Sequence, residues 1–132
     1  MKKLICTLLF FGLSSNLIAQ DKMNMKNFNP AFAHTVYFWF KEDTTEKDKA
    51  YFETSLKKFL TNSKYAKTNF IGTPPKASRD VVDGSFTYSL IVSFESAMAQ
   101  QNYQEEAAHL VFIEECKHLW DKVIVYDSNG ID

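Results

Sequence analysis

The chain has 132 residues, 45% hydrophobic and 15% aromatic, with 15 basic against 16 acidic residues and a formal net charge of −1 at pH 7. That length suits one small domain with an aromatic-rich core. The near-neutral balance and a single arginine, Arg79, exclude the clustered basic surface that binding to nucleic acid or anionic lipid requires.

Residues 1–19 read as a secretory signal. Lys2 and Lys3 precede an almost wholly apolar run from Leu4 to Leu13, and Ala19 supplies a small residue before a cleavage point. The run is too short to span a bilayer, and Cys6 lies too early in it to accept a lipid, so no membrane anchor is expected. The mature chain is then exported, periplasmic or secreted, and keeps Cys116 as its only cysteine, with no internal disulfide. Residues 20–33 are polar and form a flexible lead-in, residues 34–127 the folded domain, and residues 128–132 a tail.

His34-Thr-Val-Tyr-Phe-Trp-Phe-Lys41 is a strand by its aromatic and β-branched content. Period two puts His34, Val36, Phe38 and Phe40 on one face and Thr35, Tyr37, Trp39 and Lys41 on the other, with large groups on both. Thr45 with Asp48 three residues later resembles a capping box, and Phe52, Leu56, Phe59 and Leu60 make one apolar helical stripe. A short strand over 67–71 ends at Gly72, and the stretch 73–84 with Pro74 and Pro75 is a loop. In the next strand Phe86, Tyr88, Leu90, Val92 and Phe94 form an apolar face, alternating with Thr87, Ser89, Ile91 and Ser93. Ser96 is an N-cap for a helix through Tyr103. Glu105 to Leu119 continues helical beyond a bend, with Leu110, Ile113, Cys116 and Trp120 near one stripe, and Val123 to Tyr126 is the last strand.

The order strand, helix, strand, strand, helix, strand is the α+β, ferredoxin-like split βαβ arrangement, an antiparallel sheet with helices on one face. Helices cover only that face, and an uncovered apolar sheet face is a liability. Two copies packed sheet to sheet would remove it, so the expected partner is a second copy, in a homodimer with a barrel-like interior.

Four segments in order resemble the stress-responsive A/B barrel (Dabb) family. They are the opening strand His34 to Lys41 (H-x-V-x-F-x-F-K), Phe94-Glu95-Ser96, the stretch from Tyr103 to Phe112 (Y-x5-H-x-x-F), and the closing strand from Trp120 to the acid Asp127. The family often reads H-P-A-H where this chain has Glu106-Ala107-Ala108-His109. The resemblance implies a dimeric α/β barrel. Its best-understood chemistry, that of a plant polyketide cyclase, uses a tyrosine and a histidine between sheet and helices in an intramolecular aldol condensation. By position these fall on Tyr103 and His109, with His34 and Tyr88 as further pocket-facing positions.

Tyr103 and His109 are six apart, which is not a same-face spacing, so they converge only if the helix bends near Gln104 to Ala107. A neutral imidazole could then remove a proton alpha to a carbonyl while the phenol donates to the enolate oxygen. The plainer readings are a packing or capping histidine and a tyrosine that covers the core. The expectation is a binding module for a small apolar or aromatic ligand near His34, Tyr88, Tyr103 and His109. The alternatives are an enzyme using the Tyr103 and His109 pair, and a structural dimer with a filled interior. No cofactor is expected. His34, His109 and His118 have no metal-ligand spacing, and although His34 or His109 could serve haem, nothing specific favours it. His118 is read as solvent-facing and Cys116 as an inert core thiol.

Overall fold

The computed structural model describes residues 28–29, 31–77 and 79–131. The expected signal over 1–19 and most of the lead-in lie outside the described residues. The elements run β1 (Phe32–Phe40), α1 (Glu46–Asn62), β2 (Thr68–Gly72), β3 (Tyr88–Phe94), α2 (Ala97–Glu105), α3 (Ala107–Cys116) and β4 (Trp120–Asn129). The sheet has the order β2-β3-β1-β4 with every neighbour antiparallel. This is the ferredoxin-like α+β fold, with an open four-stranded sheet. β1 begins before His34 and is a central strand, so His34 lies in the sheet interior, while β4 is an edge strand running well beyond Val123 and Tyr126.

Local chemistry sets the helix starts. The Thr45 hydroxyl accepts from the Asp48 N–H at 3.2 Å, and the Asp48 carboxylate accepts from the Thr45 N–H at 3.0 Å, a complete capping box. The Ser96 hydroxyl caps α2 by accepting from the Ala99 N–H at 3.1 Å. The predicted α1 stripe of Phe52, Leu56, Phe59 and Leu60 is buried against the sheet. Alternation along β1 buries Phe32, His34, Val36 and Phe38 on the same side, where they meet Tyr88, Leu90, Val92 and Phe94 of β3.

Two sequence expectations fail for local reasons. Phe86 was assigned to the apolar face of β3, but β3 starts at Tyr88. The Thr87 hydroxyl accepts from the Phe40 N–H at 3.0 Å in place of a ladder bond, and the Phe86 ring lies on the opposite face, 4.9 Å from the Tyr37 ring. Leu110 was assigned to the buried stripe and is 57% exposed. α3 stops at Cys116, a 3-10 turn over Lys117–Leu119 follows, and the buried positions of α3 are Phe112 and Cys116. Cys116 is a free, buried thiol that burial pushes above its ordinary pKa, as an inert core cysteine should be.

All helices pack on one sheet face. Across the other run Tyr37 and Trp39 of β1, Ile91 of β3, Phe70 of β2 and Ile124 and Tyr126 of β4, placed together by strand register. Phe70 is 58% and Tyr126 59% exposed. The Tyr37 ring stands 6.3 Å from that of Tyr126, and Lys122 Nζ lies 4.1 Å above the Trp39 ring.

The capping box gives the first prediction. Thr45→Ala leaves the Asp48 N–H without its acceptor and should reduce stability by about 1 kcal/mol. It should appear as a lower urea midpoint with an unchanged slope.

Candidate functional site

The site is built where the second helix breaks. Glu106 is extended, with φ −67° and ψ 145°, and separates α2 from α3. The break frees the Gln104 carbonyl, and the His109 side chain takes it, Nδ1–H donating to that oxygen at 2.9 Å. The same break turns Tyr103 and His109 towards each other, with ring centroids 5.3 Å apart. The Phe59 ring from α1 packs against both, at 5.0 Å from Tyr103 and 5.1 Å from His109. The bend that the six-residue spacing demanded is present.

From the sheet, His34 presents its ring edge-on to Tyr103 at 5.8 Å. His34 Nδ1 stands 2.6 Å from Asp127 Oδ1, a carboxylate opposite it in the β1–β4 register. Gln100 Nε2 lies 3.5 Å from the same nitrogen. One nitrogen cannot donate to the carboxylate and accept from the amide, and the shorter, charge-assisted contact prevails, so Nδ1–H donates to Asp127. The Asp127 side chain is 41% exposed and that of His34 only 4%, so the pair links the cavity wall to the sheet edge.

His34, Tyr103 and His109 border a cavity of about 120 Å³ between sheet and helices. Val36, Phe38 and Leu90 line its sheet side, Tyr103, His109 and Phe112 its helix side, and Val123 and Val125 the side of the edge strand. The volume is below the ~300–1000 Å³ of pockets for drug-sized ligands and close to that of engineered cavities that take up benzene. Haem has no room in it. A larger hollow of about 500 Å³ between α1 and β2 is open and carries no histidine.

The electrostatics separate the two candidate groups. Burial holds the His109 imidazole below its ordinary pKa, against the Gln104 carbonyl that favours the charged form. With Nδ1–H donated, the neutral ring keeps its lone pair on Nε2, the arrangement of a base. Burial pushes the Tyr103 hydroxyl well above its ordinary pKa, with the Glu106 charge acting in the same direction, so it is a phenol and a donor.

Tyr88 does not join them. Its hydroxyl donates to Glu53 Oε1 at 2.8 Å, and its ring packs on Phe40 and Phe52 at 5.3 Å and 5.0 Å, outside the cavity lining. The sequence shows no acid at metal-ligand spacing from His34. Asp127 and Gln100 supply the polar surroundings of its ring, and both are brought there by strand register and helix packing. The one signal available was the acid that closes the last strand. Among the described residues no group of three or more His, Cys, Asp or Glu stands together as a metal site. His118 is exposed after α3.

Comparison with known proteins places this geometry. The sequence profile of the stress-responsive A/B barrel domain matches residues 32–129. Among solved structures, a hydroxynitrile lyase from Passiflora edulis is similar at TM-score 0.67 with 21% identity, over 78% of this chain and 96% of that one. An Arabidopsis thaliana protein is similar at TM-score 0.66 with 20% identity, over 76% and 96%. A dimeric ferredoxin-like protein of unknown function from Thermobifida fusca is similar at TM-score 0.63 with 13% identity, over 78% and 94%. At these identities the likeness is one of fold. No protein of curated function matches the sequence.

The depressed His109 pKa has a signed consequence for stability. The unfolded imidazole titrates near its ordinary 6.5 and the folded one lower, so between the two the unfolded chain binds more protons. This contribution is complete above pH 6.5 and is lost as the pH falls through the folded value. Urea midpoints of the parent should therefore fall more steeply than those of His109→Gln as the pH is lowered past 6.5.

Proposed function

The chain belongs to the stress-responsive A/B barrel (Dabb) family, and we propose that it is exported and works as a homodimer binding a small apolar or aromatic carbonyl compound in the cavity between sheet and helices. The observation that carries this reading is the convergence of His34, Tyr103 and His109 on one apolar cavity of about 120 Å³. The cavity is large enough for a single ring and offers a phenolic donor at its wall. A carbonyl oxygen accepting from Tyr103 would orient such a ligand, and Val123 and Val125, both partly exposed, would form the mouth on the β4 side. Self-association is supported by the aromatic outer face of the sheet and by the dimeric state of the Thermobifida fusca neighbour. Export rests on the N-terminal sequence pattern and predicts a mature chain beginning at Gln20.

Native mass spectrometry of the mature chain with benzaldehyde as probe tests the reading. A twofold mass carrying one benzaldehyde per subunit is expected. Tyr103→Phe should keep the twofold mass and weaken the adduct by roughly tenfold, the worth of one hydrogen bond. A monomer, or binding indifferent to Tyr103, overturns it.

A second reading, proton transfer on a carbonyl compound, is favoured by the His109 tautomer, which leaves the Nε2 lone pair free on a ring whose centroid lies 5.3 Å from that of Tyr103. A hydroxynitrile lyase is among the fold neighbours. Here the expected result is protein-dependent exchange of the α-hydrogens of cyclohexanone in heavy water. His109→Ala should return it to background, and Tyr103→Phe should slow it on the order of a hundredfold. Binding without exchange would leave the first reading standing alone.

A further inference from the structure

One carboxylate holds the α2–α3 break from outside. Glu106 Oε2 accepts a hydrogen bond from the Lys64 backbone N–H at 3.1 Å, tying the break to the segment between α1 and β2. The Glu106 backbone carbonyl starts α3, accepting from the N–H groups of His109 at 3.0 Å and Leu110 at 3.2 Å. Its second carboxylate oxygen, Oε1, is buried and has no hydrogen-bond partner among the described residues. Leaving a buried charged acceptor unpaired costs about 1–3 kcal/mol or more, and such an atom calls for a reason. Helix capping does not provide one, because the Glu106 side chain makes no cap bond to α3.

We propose that Glu106 is a positioning residue of the site: through Lys64 its carboxylate sets the break at which Tyr103 and His109 converge, and its unpaired oxygen keeps a negative charge near the His109 imidazole for the moment it carries a proton. The inference rests on the proton-transfer reading. The titratable groups around His109 are His34 from β1, itself engaged by Asp127 of β4, Tyr103 from α2, and Glu106 at the break, while α1 meets it with the uncharged Phe59 ring. Burial and His34 both oppose an imidazolium here, while the Gln104 carbonyl and, to a smaller extent, Glu106 favour it. Burial raises the pKa of the Tyr103 hydroxyl, and the same charge acts in that direction. One side chain thus supports the base in accepting a proton and the donor in holding one.

Imidazole resonances of His109, followed by NMR through a pH titration of the full mature chain, separate the two roles. Glu106→Gln keeps an acceptor for the Lys64 N–H and removes the charge. It should leave the alkaline-limit resonance in place and lower the titration midpoint. Glu106→Ala removes both, and should also move the alkaline-limit resonance as the ring turns against Phe59 and Tyr103. An unchanged midpoint in Glu106→Gln overturns the charge role, and an unchanged alkaline limit in Glu106→Ala overturns the positioning role. If Glu106→Ala does not fold, the isosteric glutamine variant, paired with Lys64→Pro to remove the N–H, carries the same test. None of these readouts needs turnover, so absence of cyclohexanone exchange would sink the proton-transfer reading and leave Glu106 to be judged on the titration.

Discussion

The geometry of the cavity depends on one interruption in one helix. Had α2 and α3 been continuous, Tyr103 and His109 would lie on different helix faces, because six residues do not return to the same side at 3.6 per turn. The extended backbone at Glu106 resets the phase, and two bonds support it. One is the His109 ring on the freed Gln104 carbonyl, and the other is the Glu106 carboxylate on the Lys64 N–H. A broken helix leaves backbone groups without partners, and here the His109 side chain satisfies one of them. The bond that stabilises the break also selects the His109 tautomer.

Burial then divides the roles. The same apolar surroundings lower the pKa of the imidazole and raise that of the phenol, because burial disfavours the charged form of each. The outcome at neutral pH is a neutral imidazole and a neutral phenol on two residues that line one small volume. His34 adds a second imidazole whose orientation is set by Asp127 at the sheet edge. The rest of the wall is hydrocarbon and aromatic ring, so a polar group entering the cavity would meet few partners and these would orient it.

The sheet contributes through its asymmetry. Its inner face is closed by three helices, and its outer face shows a run of rings from Phe70 to Tyr126. A face of that kind is what a second copy would cover, while the cavity lies on the other side of the sheet. In the proposed function, dimerisation and ligand binding would therefore draw on opposite surfaces of the same four strands.

Periodicity and capping chemistry, both local, were legible in the sequence. The alternation of His34, Val36 and Phe38, the Phe52 to Leu60 stripe, the Thr45–Asp48 box and the Ser96 cap follow from spacings of two, three and four residues, and they dictate the element order and hence the fold. The need for a bend between Tyr103 and His109 was legible for the same reason. Contacts between residues far apart in the chain were not. The pairing of His34 with Asp127 spans 93 residues and exists because β4 lies beside β1 in a given register. Tyr88 fits the same alternating pattern as Leu90, yet its position along β3 puts it beside Phe40 and Glu53, away from the cavity. Phe86 crosses to the outer face because a threonine hydroxyl replaces a backbone acceptor. Local propensity determined which elements form and which face each residue takes. Only tertiary packing, which sets register and helix phase, decided which side chains meet.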